Sequence, residues 1–98
     1  MRDPEVLQAV KATLALLVEK SPGKAIEVRI PPYAAVQCGE GPKHTRGTPA
    51  NVIEMDAQTW LSLARGERQW SDALEAGLIN ASGVRADLTD LLPLEVAR

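Results

Sequence analysis

The residues best suited to chemistry lie near the middle of the chain. Cys38 and His44 are its single cysteine and single histidine, and a thiol beside an imidazole could act as nucleophile and base. Hydrolysis would also need an orienting acid, for which Glu40 and Asp56 are candidates. The simpler interpretation is that Cys38 is a small buried residue at a strand end and that His44 only donates a hydrogen bond in a loop. We therefore predict no catalytic residue.

The spacing of the remaining ligand-type residues does not support a metal or cofactor site. Structural zinc needs four ligands at motif spacing, and this chain has one Cys and one His. Gly39-Glu40-Gly41 begins a dinucleotide fingerprint, but His44 stands where the third glycine belongs. Gly47 is followed by Thr48 rather than by the Lys of a phosphate-binding loop. We predict neither a metal nor a cofactor.

A basic loop is the best candidate for a binding site. The segment Gly39–Pro49, GEGPKHTRGTP, has three glycines and two prolines and so predicts irregular structure. It holds Lys43, His44 and Arg46 against a single acid, Glu40. Glycine-rich backbone and nearby cations can bind an anion. The segment predicts a site for a phosphate or carboxylate head group; the alternative is a solvated loop whose polar groups bond one another.

Length, composition and charge limit the function classes. The chain has 98 residues, 45% of them hydrophobic, which predicts one domain over residues 1–98. A net charge of −2 argues against nucleic-acid binding. The longest largely apolar run, Ala12–Val18, is far shorter than the ~20 residues of a membrane span. With no signal-peptide pattern and no partner for Cys38, we expect a cytoplasmic protein.

In the first half of the chain, the hydrophobic periodicity changes from helical to alternating. Helical spacing predicts an amphipathic helix over Pro4–Lys20 with Asp3 as its N-cap. A period of two predicts a strand over Ala25–Ile30. Pro31-Pro32 interrupts it, and Tyr33–Cys38 resumes an extended pattern. Tyr33–Cys38 is therefore either the hairpin partner of the first strand or the far half of one bent strand.

In the second half, short periodic segments are separated by capping residues. They predict a strand over Asn51–Met55, a helix capped by Asp56 and ended by Gly66, a helix capped by Ser71 and closed by Gly77, a strand over Leu78–Ser82, and a last helix over Ala86–Leu92. Strands clustered beside helices indicate an α+β fold.

One long segment resembles a known family. Asp56–Leu94, DAQTWLSLARGERQWSDALEAGLINASGVRADLTDLLPL, is similar to the C-terminal half of sterol carrier protein domains. The shared features are a strand-to-helix Asp, two helices that each end in Gly, and a strand that closes on Gly: Asp56, Gly66, Gly77 and Gly83. Val28–Pro49 resembles the short actinobacterial members of that superfamily.

The resemblance implies a small twisted, mostly antiparallel sheet of four to five strands with helices on one face. It also implies a non-catalytic domain that holds a small hydrophobic or amphipathic ligand, of lipid or acyl type, between sheet and helices. The head group would meet Lys43, His44 and Arg46. The tail would lie against five apolar residues: Trp60, Leu78, Leu88, Leu91 and Leu92.

A domain without a ligand is the alternative. A similar domain forms the C-terminal part of mycothiol-dependent maleylpyruvate isomerases, where the metal site belongs to the partner domain. The chain would then be an accessory to an enzyme or would associate with itself as a homodimer.

Energetics limit the size of any pocket. Ligand pockets are commonly about 300–1,000 Å³, and an empty apolar cavity of 300 Å³ costs roughly 7 kcal/mol. Whole-domain stability is only about 5–15 kcal/mol. We therefore predict a pocket that is small, open to water, filled by ligand or shared with a second subunit.

Overall fold

The computed structural model describes residues 3–41 and 51–94, in which one long helix precedes a hairpin and a series of shorter elements. These elements are α1 (Pro4–Lys20), β1 (Ile26–Ile30), β2 (Ala34–Cys38), β3 (Val52–Met55), α2 (Ala57–Ala64), α3 (Trp70–Glu75), β4 (Ile79–Ser82) and a 3₁₀ turn (Thr89–Leu91). Within these residues, no helix has the length and apolar character needed to cross a bilayer.

The strands form a four-stranded mixed sheet in the order β2-β1-β3-β4. β1 is antiparallel to β2 and parallel to β3, and β3 is antiparallel to β4. This arrangement confirms the predicted α+β class. Pro31-Pro32 forms the tip of a hairpin, where the amide of Tyr33 donates to the carbonyl oxygen of Ile30 (2.8 Å). The hairpin, rather than the bent strand, is therefore the observed alternative.

Alternating side chains give the sheet one buried face and one open face. Val28 and Ile53, neighbours in the register of β1 and β3, are fully buried under the helices. Glu27, Arg29 and Glu54 lie on the open face, where Glu27 and Arg29 form an ion pair. Such a polar outer face is typical of sheets covered on one side.

The long helix α1 lies along the edge strand β2. At its start, the amide of Asp3 donates to the Tyr33 hydroxyl (3.3 Å), and the Asp3 carboxylate caps the helix by accepting from the amide of Glu5 (2.9 Å). At its end, the amide of Gly39 donates to the carbonyl oxygen of Ser21 (2.8 Å). The helix therefore covers the strand from one end to the other.

Two predicted helices differ in the structure. Ser71 lies inside α3, and the N-cap is Gln69, whose side chain makes no capping bond. The predicted cap is therefore wrong: α3 begins at Trp70, whose side chain is buried, so the chain enters the helix before it reaches Ser71.

The predicted last helix, Ala86–Leu92, is also wrong, because only Thr89–Leu91 is helical, as a 3₁₀ turn. The Asp87 carboxylate accepts hydrogen bonds from the amide (2.8 Å) and the hydroxyl of Thr89, which competes with helical backbone bonding. Leu92, at ψ 146, is extended because a residue before proline disfavours the helical region.

Candidate functional site

The predicted tail-binding residues lie in several separate places. Trp60 is fully buried between α2 and α1, where its indole Nε1 donates to the Thr13 hydroxyl oxygen (2.8 Å). Leu88 is also fully buried and belongs to the main core. These two side chains pack in the interior and line none of the surface depressions described below.

The other three predicted leucines are half-buried. Leu91 presents its carbonyl oxygen to the Lys20 ammonium (2.8 Å), which joins the last segment to the end of α1. Leu78 borders a depression of about 560 Å³ beside α2 that also contains Asp56 and Arg65. Leu92 borders a different depression at the end of α2, and Arg68 borders both. The structure therefore does not bring the predicted set together in one pocket.

The depression beside Leu92 has a mainly apolar floor. It has a volume of about 330 Å³ and is bordered by Leu63 of α2, Trp70 of α3, and Leu92 and Pro93 of the last segment. We call it the α2–α3 groove. Leu63 is 1% exposed and Trp70 6%, so its floor is continuous with the core.

The groove exists because the chain turns sharply after α2. Gly66 follows the helix with φ +77°, a conformation that favours glycine. The amides of Gly66 and Glu67 donate to the carbonyl oxygens of Leu63 (3.2 Å) and Ser62 (2.8 Å). These bonds end the helix and lead the chain round the groove to α3.

The opposite wall is held by a contact between distant parts of the sequence. The amide of Leu94 donates to the carbonyl oxygen of Ala64 (2.9 Å) at the end of α2. A Cβ at Gly66 would lie 3.3 Å from the Cβ of Pro93, so glycine also allows this close approach. The last segment is thereby fixed against the end of α2.

Polar side chains stand at the mouth of the groove. Arg68, Gln69 and Thr89 border it, and Arg68 is exposed. Within the described part of the chain, Arg68 forms no ion pair. A guanidinium at the mouth of an apolar groove can bind a carboxylate or phosphate through paired hydrogen bonds.

The predicted basic residues Lys43, His44 and Arg46 lie outside the described residues, but both ends of their loop are described. A Cβ at Gly41 would lie 3.2 Å from Nε of Arg85. The side chain of Asn51 is buried; it accepts from the amide of Arg85 (2.9 Å) and donates to the carbonyl oxygen of Ala25 (2.9 Å). The loop therefore starts and ends beside Arg85.

A polar depression of about 520 Å³ lies at the base of this loop. It is bordered by Glu40, Arg85, Asp87 and Asp90, and also by Thr89, which borders the α2–α3 groove as well. The short segment that carries Thr89 therefore separates the groove from the base of the basic loop.

Cys38 lies at the end of β2 with no exposed surface. Burial raises the pKa of its thiol, which disfavours the reactive thiolate. Cys38 is therefore a small buried residue at a strand end. In residues 3–41 and 51–94, no three His, Cys, Asp or Glu side chains are grouped so that they could hold a metal ion.

Of the residues that border the groove, only Leu92 was predicted as a ligand contact; Leu63, Arg68 and Pro93 are among those that were not. Leu63 has the helical spacing of any core leucine, and Pro93 directly follows the predicted last helix, where a proline usually only marks the helix end. Arg68 did carry a signal, because it is a cation in a short loop between two helices. Its position beside an apolar groove depends on the last segment, which is distant in sequence.

Comparisons with known proteins agree with this fold. A family model described as "Bacterial SCP ortholog" matches residues 2–94, nearly the whole chain. No curated protein sequence matches.

Proposed function

The chain belongs to the family of bacterial SCP orthologues, and on that premise we propose that it binds a small amphipathic ligand of the lipid or acyl class in the α2–α3 groove. The observation that carries this proposal is the groove itself, which joins an apolar floor to a cationic mouth. The family is generally non-catalytic, and we propose a binding role without catalysis.

The ligand's apolar part would lie against Leu63, Trp70 and Leu92. Leu63 and Trp70 already belong to the core and need little reorganisation, which favours binding because few side chains lose freedom. A volume of about 330 Å³ is near the lower end of ligand pockets. We therefore propose a single short chain rather than a sterol.

The ligand's charged part would meet Arg68 at the mouth of the groove. We also retain the prediction that Lys43, His44 and Arg46 contact the head group. Thr89 borders both the groove and the polar depression that contains Glu40, the residue next to the start of their loop. Trp60 and Leu88 would then act from the core, by fixing the elements that form the groove.

Native mass spectrometry of freshly purified protein, followed by solvent extraction, tests the proposal. We expect a discrete bound mass that the solvent releases as a fatty acid or acyl lipid. The matched control is Leu92→Asp, which places a carboxylate in the groove wall and should purify without that mass. A wild-type protein that carries no adduct, and that also gains none after incubation with dodecanoate, would contradict the proposal.

A further inference from the structure

The last segment of the described chain, residues 89–94, supplies one wall of the α2–α3 groove. Thr89, Leu92 and Pro93 border the groove from this segment, whereas Leu63 and Trp70 border it from the two helices. Both helical residues are buried and belong to the core. The groove therefore has one part that is continuous with the core and a second part whose position depends on how residues 89–94 are held.

Two hydrogen bonds from distant parts of the sequence hold this segment in place. The Lys20 ammonium at the end of α1 donates to the carbonyl oxygen of Leu91 (2.8 Å). The amide of Leu94 donates to the carbonyl oxygen of Ala64 at the end of α2 (2.9 Å). The residues that border the groove between these two attachments are Leu92 and Pro93. Lys20 itself does not border the groove, so it acts on the wall only through the segment.

The segment is attached more weakly than the elements around it. Leu88, directly before it, is fully buried and fixes its start. Beyond Leu88 the described chain forms a single 3₁₀ turn, and no strand of the sheet includes these residues. Lys20 and Pro93 are exposed, and the three leucines of the segment are only half-buried. Segments with few buried contacts and exposed hydrogen bonds open locally at a lower free-energy cost than the core.

We propose that residues 89–94 act as a clamp, which undocks from α1 and α2 without global unfolding and which the ligand holds closed. Lys20 is a positioning residue that favours the docked state through Leu91. This inference rests on the proposed function, because a ligand in the groove contacts Leu92 and Pro93 only while the segment is docked. A ligand that binds one of two conformations shifts the population toward that conformation. Binding in the groove and docking of the segment are therefore coupled.

Amide hydrogen exchange, measured by NMR on the wild type, tests this coupling. Without ligand, the amide of Leu94 should exchange about tenfold or more faster than that of Glu27, which bonds the carbonyl oxygen of Asn51 (3.0 Å) from the inner strand β1. With dodecanoate at about a hundred times its dissociation constant, the Leu94 amide should slow by about tenfold or more. The amide of Tyr33, at the hairpin tip and not at the groove, should be unchanged.

Three variants test the role of Lys20. Lys20→Met removes the bond to Leu91 and should speed exchange of the Leu94 amide about threefold or more, whereas Lys20→Arg keeps a cationic donor and should resemble the wild type. Lys24→Met is the control for the lost charge, because Lys24 is exposed and forms no ion pair among the described residues. Dodecanoate should again slow Leu94 in Lys20→Met. A general loss of stability would instead speed the Glu27 amide by the same factor.

The possible results separate the clamp from the proposed function. A Leu94 amide that exchanges as slowly as Glu27 without ligand overturns the clamp, and so do equal effects of Lys20→Met and Lys24→Met. Dodecanoate that forms an adduct in native mass spectrometry but leaves Leu94 exchange unchanged overturns the clamp and leaves the proposed function standing. The absence of any dodecanoate adduct overturns both.

Discussion

The indole Nε1 of Trp60 and the hydroxyl oxygen of Thr13 are joined by a 2.8 Å hydrogen bond in the buried contact between α2 and α1. The Thr13 hydroxyl in turn donates to the carbonyl oxygen of Ala9 (2.7 Å). Both polar side chains in this contact are therefore paired, which fixes the orientation of Trp60, the largest fully buried side chain among the described residues. A buried polar pair of this kind is costly to break on one side only.

Thr13→Val should lower the free energy of unfolding by about 1–3 kcal/mol, because it preserves the side-chain shape but leaves the Trp60 N–H buried without a partner. Urea denaturation measures this. The control is a double-mutant cycle: in a Trp60→Phe background, which has no N–H to satisfy, Thr13→Val should cost close to nothing. An equal cost in both backgrounds would show that the hydrogen bond is not the cause.

Gly23→Ala should destabilise the fold by about 3 kcal/mol or more, at the severe end of single substitutions. A Cβ at Gly23 would lie 1.9 Å from the carbonyl oxygen of Gly39, and φ is +142°. Gly77→Ala is the matched control, since φ is +76° and nothing lies within 4 Å. It should cost only about 1–2 kcal/mol. Equal midpoints in guanidinium chloride would mean that the close approach does not matter.

The buried thiol of Cys38 should make stability fall at alkaline pH. Burial raises its pKa in the folded state, so above the ordinary thiol pKa of about 8.5 the unfolded chain releases a proton that the native state retains. That release stabilises the unfolded state, and stability decreases as pH rises from there toward the native pKa.

Comparing unfolding free energies of the wild type and Cys38→Ala between pH 7 and pH 10 isolates this effect, because the other titrating groups are common to both. The difference between the two proteins should change with pH in favour of the variant. Native Cys38 should also react with a thiol reagent only as fast as the protein opens. A pH-independent difference together with rapid labelling would mean that the thiol is accessible.

Arg68→Gln should weaken binding of dodecanoate about tenfold or more, which is the effect of losing a charge-assisted hydrogen bond of about 1.5–3 kcal/mol. Binding of dodecanol should change little, because its hydroxyl carries no charge. Trp70 fluorescence can report both titrations. Arg29→Gln, on the open face of the sheet, is the control and should leave both affinities unchanged. If Arg68→Gln weakened both ligands equally, Arg68 would contribute to the shape of the groove rather than to head-group recognition.

Much of the fold was determined locally. The bounds of α1 were predicted correctly, because Asp3 caps the helix, Pro4 suits its first position, and Ser21-Pro22-Gly23 ends the apolar period. Gly66 and Gly77 were predicted to end α2 and α3, and both have positive φ. Such features depend on neighbours within a few residues, so the sequence alone contains them.

Where the structure depends on contacts between segments distant in sequence, the local sequence pattern did not predict it. The apolar spacing of Leu88, Leu91 and Leu92 favoured a helix, but Leu88 enters the core while the Asp87 side chain takes the backbone bond that a helix would need. The choice at Pro31-Pro32 depended on β1 and β2 pairing along their full length. Tertiary packing decided both.

The candidate site depends almost entirely on tertiary packing rather than on local sequence. The family could be inferred from residue patterns, but Trp60 proved to be core, and the groove formed where Pro93 meets the end of α2. That meeting rests on the bond between Leu94 and Ala64, whose partners lie thirty positions apart. Hydrophobic periodicity records which side chains become buried; which buried segments touch is decided only when the whole chain packs.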